Sequence, residues 1–183
     1  MKLQKYTENI DIKKMLLSIL FFFFGLLTYV LVYNEDLNNV KNQSTTIVEE
    51  NNRVLNDTAL QKAKNAFYIF MNNMKVGIQL SVLGFLSGGI LTLISLFWNG
   101  FILGNILYMA TEILSTEEII YYLKHAPTEI FALLLFSVIG LKGFYFYKNI
   151  YYKKNISKLL FPKITDFILP TLLLFISSII EVL

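Results

Sequence analysis

The residues with the clearest capacity for chemistry are His125 and Glu129. An imidazole and a carboxylate four positions apart share one face of a helix, a spacing that suits a pair of metal ligands or a proton relay. His125 is the single histidine of the chain, so one imidazole would have to work with carboxylates alone. The other polar candidates, Asn73, Glu112 and Glu181, each fall at the border of an apolar run. Glu129 follows Pro127-Thr128 and is also well placed as an acid in the first turn of a helix, where the backbone dipole favours it. On spacing alone this structural role outweighs site chemistry, and the sequence assigns no metal and no cofactor. Ser177 and Ser178 have no histidine or lysine at a catalytic spacing. No phosphate-binding glycine loop, zinc-binding helix motif or nucleophile elbow is present. The expectation is a protein without enzymatic activity.

The elements that must carry these residues are membrane-spanning. Hydrophobic residues make up 55% of the chain and charged residues 16%, against about 25% charged in soluble domains. Sixteen phenylalanines and eleven tyrosines suit lipid-facing surfaces and interfacial belts better than a small soluble core. With no cysteine, disulfides and thiolate metal sites are excluded. The net charge of +3 gives no reason to expect a nucleic-acid partner. The chain reads as one all-α, polytopic transmembrane bundle.

The apolar run from Val76 to Leu114 is too long for one crossing, which takes about 20 residues. Trp98-Asn99-Gly100 interrupts it, and Asn-Gly is a strong turn signal. The expectation is a hairpin that turns at Asn99 and Gly100 between crossings at 76–97 and 101–114. Further crossings are expected at 15–33, 128–147 and 164–183, the last one bent by Pro170. Between the first and second lies an extracytoplasmic excursion, 34–75. Its second part, Ala59 to Lys75, has apolar residues at helical spacing and is expected to lie as an amphipathic helix on the membrane surface.

Lysine placement sets the expected orientation. One cluster precedes the first crossing (Lys2, Lys5, Lys13, Lys14); another separates the fourth and fifth (Lys148, Lys153, Lys154, Lys158, Lys163). Five crossings put both on the cytoplasmic side, as the positive-inside rule requires. The amino terminus is then cytoplasmic, the carboxyl terminus outside, and Asn73, Glu112, His125, Glu129 and Glu181 all fall at the outer end. Gly84, Gly88, Gly89, Gly100 and Gly104 present small faces through which helix backbones can approach. These faces serve packing within the chain, with self-association or a partner helix as the other use. Lys142 is placed to snorkel to the cytoplasmic headgroups, beside an aromatic belt (Phe144 to Tyr147, Tyr151, Tyr152) suited to anionic lipid.

One ordered set of features resembles a known family. An aromatic-rich helix ends in Asn72-Asn73; a glycine-rich crossing follows with Gly84 and Gly88-Gly89, then Asn99-Gly100 and Gly104. His125 and Glu129 open the next crossing, and the last helix closes on Glu181. From about Phe67 to Leu183 this is similar to the stage II sporulation protein M family of bacterial and archaeal membrane proteins. The resemblance implies a five-crossing protein of the cell membrane with no known enzymatic activity. It further implies a scaffold or accessory subunit that works with other membrane or cell-envelope proteins. The family's namesake is similar to an anchor that recruits peptidoglycan-degrading partners during engulfment. Smaller relatives accompany circular bacteriocin genes and are linked to export or immunity. The absence of a longer outer tail favours the latter role here. A small transporter using the outer polar residues is the third expectation.

Overall fold

The computed structural model describes residues 12–32, 58–152 and 161–183. The amino-terminal lysines before Ile12, most of the first excursion and Lys153, Lys154 and Lys158 lie outside them. Among the described residues there is no strand. Five helices are long and apolar enough to cross a membrane: α1 (Ile12–Val32), α2 (Ala59–Leu86), α3 (Ile90–Ile113), α5 (Ala126–Tyr151) and α6 (Ile164–Val182). A short helix, α4 (Thr116–Tyr122), links α3 to α5.

The centre of the bundle is α5. Nine consecutive residues, Ala132 to Gly140, are buried in it, as expected of a helix that is apolar all round. Phe136 meets Leu80 of α2, Leu96 of α3 and Leu174 of α6 in a fully buried core. The most extensive packing joins α1 to α3, and α6 lies against both α5 and α2.

Two expectations about the hairpin are corrected. The chain reverses at Ser87-Gly88-Gly89 instead of Asn99-Gly100. Gly88 and Gly89 adopt φ of 66° and 89°, conformations that side chains other than glycine's rarely tolerate. Gly89 N–H donates to the Gly84 carbonyl at 2.7 Å and Gly88 N–H to that of Phe85 at 3.1 Å, the paired bonds of a Schellman helix end. Tyr147 Oη adds a bond to the Leu86 carbonyl at 3.0 Å. Helix α3 runs unbroken through Asn99 and Gly100. Asn99 spends its turn-forming amide within the helix, donating to the Ser95 carbonyl at 2.7 Å. Gly100 faces α1, where a Cβ would overlap the Phe22 carbonyl. The third crossing is therefore a full-length helix.

The second correction concerns Ala59 to Lys75. These residues begin α2 and continue into the crossing without a turn. They pack along α6: Phe70 meets Phe175 edge-on, with ring centroids 5.7 Å apart, and Thr171 Oγ1 donates to the Met74 sulfur at 4.0 Å. The helix stands within the bundle instead of lying across its end. A wide π-type turn at Gln79–Leu83 interrupts its regular bonding. Gly84 N–H reaches the Gln79 and Ser81 carbonyls, so the Leu80 carbonyl is left for Thr92 Oγ1 of α3, at 2.9 Å.

Glycines set the closest approaches. Gly25 of α1 faces the Phe97 carbonyl, and Gly100 and Gly104 of α3 face Phe22 and Leu26. Gly140 meets the Leu80 carbonyl, and Gly143 that of Phe85. Backbones in such contact exclude lipid and maximise dispersion where no hydrophobic drive acts between helices. Of the expected packing glycines, Gly84, Gly100 and Gly104 sit at these approaches, whereas Gly88 and Gly89 form the turn. Gly25, Gly77, Gly140 and Gly143 join the first three at close approaches; none has a partner glycine four residues away to mark it in the sequence.

Candidate functional site

At one end of the bundle, three helices bring together four of the polar residues. Helix α4 starts at a capping box: Ser115 N–H donates to Glu118 Oε2 at 2.8 Å and Glu118 N–H to Ser115 Oγ at 3.4 Å. This fixes where the linker ends and delivers His125 to the N-cap of α5. The His125 carbonyl accepts from Thr128 and Glu129 N–H, at 3.1 and 3.2 Å, and from Ser177 Oγ of α6, at 3.3 Å. The last bond ties the start of α5 to the end of α6.

His125 Nε2 lies 3.8 Å from Glu129 Oε2 and 3.6 Å from Glu181 Oε2. The side chains are 15%, 24% and 34% exposed in that order, so the pair on α5 is largely shielded and the α6 carboxylate forms the open rim. Asn73 of α2 stands beside the Glu129 side chain. His125 Nδ1 is buried without a hydrogen-bond partner. Asn73, His125, Glu129 and Glu181 thus converge from sequence separations of up to about a hundred residues. Glu112 does not join them; it lies exposed near the end of α3.

The opposite end carries an ion pair that spacing did not reveal. Lys142 Nζ lies 2.6 Å from Asp166 Oδ2 of α6, with both side chains 12% exposed. Lys142 therefore pairs inside the bundle instead of snorkelling to headgroups. Asp166 also accepts from Lys163 N–H at 3.1 Å, starting α6. The available signal was Asp166 itself, the one acid of the first turn of the last crossing. Nearby, Lys14 Nζ stands over the Tyr145 ring, 4.6 Å from its centroid. Ser137 Oγ donates to Ser18 Oγ at 2.6 Å in the buried seam between α5 and α1. The α1 start, the α2–α3 turn and the α5–α6 junction share this end, as five alternating crossings require.

A third feature was missed altogether. Gln61, Asn65, Tyr68, Asn72, Lys75 and Gln79 recur at alternating steps of four and three along α2, which places them on one face. All are exposed except Asn72, which is half-buried. Lys75 Nζ donates to Asn72 Oδ1 at 3.4 Å, and Gln79 Nε2 to Ser95 Oγ of α3 at 2.8 Å. The depth of this stripe can be read from its neighbours. Gly77 packs on the Phe136 ring, ten residues, or about 15 Å, inside α5. Lys75 lies two residues, about 3 Å of helix rise, from Asn73, which stands beside Glu129 near the start of α5.

These features can be set beside known proteins. None of the curated proteins and none of the solved structures matches the chain. A family model described as Stage II sporulation protein M matches residues 18–183, from within α1 to the last residue. The match takes in all five membrane-length helices and the convergent polar end, and on that extent the chain belongs to the stage II sporulation protein M family.

Proposed function

We propose that this protein is a non-enzymatic scaffold of the cell membrane, whose α2 holds another membrane protein. The observation that supports this reading is the exposed polar stripe. Polar and charged residues on a spanning helix are costly against lipid, and such residues face a bundle interior, a partner or water instead. Lys75 and most of its stripe neighbours face outward along a helix of membrane length. A partner helix carrying a carboxylate level with Lys75 would complement the stripe's charge. The glycine-mediated contacts give the rest of the bundle the rigidity a platform needs. The resemblance to recruiting anchors of sporulation agrees with the reading. An immunity or export role in a bacteriocin cluster would be the same recruiting function with a different partner.

The test is a photo-crosslinking residue at position 75 or 72, compared with position 94, where Ile94 is exposed on α3. Positions 75 and 72 are expected to capture a second membrane protein, and position 94 lipid. Lys75→Leu should abolish the capture from position 72. Lipid adducts alone at all three positions would reject the scaffold. Capture of a second copy of this chain would replace recruitment by self-association.

A further inference from the structure

We propose that His125, Glu129 and Glu181 bind a divalent transition-metal ion, with zinc the best fit to this donor set. The proposal is independent of the scaffold reading, because none of the three residues belongs to the polar stripe.

The argument starts from distances. One ligand atom from each residue can be chosen so that all three lie within 4.8 Å of one another. The imidazole-to-carboxylate gaps of 3.6 and 3.8 Å are too wide for charge-assisted hydrogen bonds, which close to about 2.7–2.9 Å. They match donors spread around one cation. With zinc bonds of about 2.0–2.2 Å, neighbouring tetrahedral ligands stand about 3.3–3.6 Å apart. The 3.6 Å gap falls at the upper edge of that range and the 3.8 Å gap just beyond it, so a small inward movement of the carboxylates would close the three groups around an ion.

Charge points the same way. Two carboxylates converge on one histidine at a partly shielded end of an apolar bundle. A divalent cation cancels both charges with the imidazole neutral. An imidazolium would cancel only one and would leave its N–H short of either oxygen. Asn73 stands beside the Glu129 carboxylate, where an amide can orient a metal ligand. The unpartnered, buried His125 Nδ1 shows that the ring is not held by a protein hydrogen bond on its far side. Its orientation must then come from packing and from whatever Nε2 engages.

Donor type narrows the metal. One imidazole and two carboxylate oxygens suit zinc, manganese or iron, and exclude soft thiolate-seeking ions. Three protein ligands leave a fourth position open, for water or for a carboxylate of another molecule. Two ligands come from the first turn of α5 and one from the last turn of α6. The ion would fasten the carboxyl-terminal helix to the central one, where the Ser177–His125 bond already joins them.

The experiment uses the full chain, purified in detergent without chelator, and four measurements. Elemental analysis should find about one zinc per chain. Removal with a chelator should lower the melting temperature, and added zinc should restore it. Cobalt(II) added to the stripped protein should give the visible absorption of a tetrahedral or five-coordinate site. His125→Gln and Glu181→Gln should each lose the metal and the melting response, whereas Glu112→Gln should keep both. Should a variant fail to fold, stripping and reloading the wild-type chain still decides the matter. No saturable zinc or cobalt binding by the stripped wild type would overturn the proposal, as would full zinc retention by His125→Gln and Glu181→Gln.

Discussion

The smallest features that can be tested are single polar groups with one partner each. Glu118 accepts from the backbone and the hydroxyl of Ser115, and these bonds hold its carboxyl below the ordinary glutamate value. A carboxyl with a lowered folded pKa stabilises above its unfolded pKa, and the contribution is lost as pH falls through the folded value. The start of α4 should therefore fray in acid below the ordinary glutamate range and be intact at neutral pH. Amide exchange of residues 116–119 at the two pH values would show it, and Ser115→Ala should remove the difference. Thr92 is a buried counterpart. Thr92→Val removes the one side-chain donor to the Leu80 carbonyl. Interhelical bonds of this kind are worth about 0.6 kcal/mol on average and at most about 1.7 in a membrane. A loss in that range is expected in a reversible detergent denaturation. No loss would mean that water or a backbone shift replaces the hydroxyl.

At the scale of elements, glycine contacts and one ion pair decide how the helices meet. Gly100→Leu and Gly25→Leu should both separate α1 from α3, because each side chain would strike a carbonyl of the facing helix. Ile102→Leu, at an exposed position of the same helix, should be nearly neutral. Yield and thermal stability in detergent would rank the three. Asn99→Ala should be mild, since Asn99 makes no turn, whereas Gly88→Val should be severe. The opposite ranking would restore the turn to Asn99-Gly100. For the pair at the other end, Asp166→Asn leaves the Lys142 ammonium with no counter-charge in a shielded place, and breaking such pairs costs about 3–5 kcal/mol. Replacing both, as in Lys142→Met with Asp166→Leu, should recover much of that loss. A double variant no more stable than Asp166→Asn would show that the pair matters for more than its own charge.

At the scale of the whole molecule, the five helices alternate, with α1's start, the Gly88-Gly89 turn and the Lys142–Asp166 pair at one end. His125 and Glu181 mark the other. In the sequence, lysines concentrate before the first crossing and between the fourth and fifth, from which the positive-inside rule predicts a cytoplasmic location for the first end. A reporter fused after Leu183 is then expected outside the cytoplasm, and one inserted after Ser87 inside it. A cytoplasmic signal from the Leu183 fusion would invert the orientation or remove a crossing. The same orientation would put the His125 cluster at the outer surface, open to external metal ions.

The sequence by itself determined the class of the protein: apolar run lengths and lysine bias are properties of segments, and the bilayer acts on segments. It also brought His125, Glu129 and Glu181 to one end, because crossing parity alone assigns an end to every helix terminus; Asn73 joins them from within α2, and Glu112 reaches that end without joining the cluster. What it could not decide was which of two turn signals turns. Asn-Gly and Gly-Gly are locally equivalent; only packing showed that Gly100 is needed against the Phe22 carbonyl, which leaves the reversal to Gly88 and Gly89. The partner of Lys142 lies 24 residues away on another helix, beyond the reach of any spacing rule. The distances inside the His125 cluster, and the outward direction of Lys75, depend on helix rotation. Rotation is set by how α2, α5 and α6 interlock around Phe136 and Leu174, and that contact exists only once the bundle has formed.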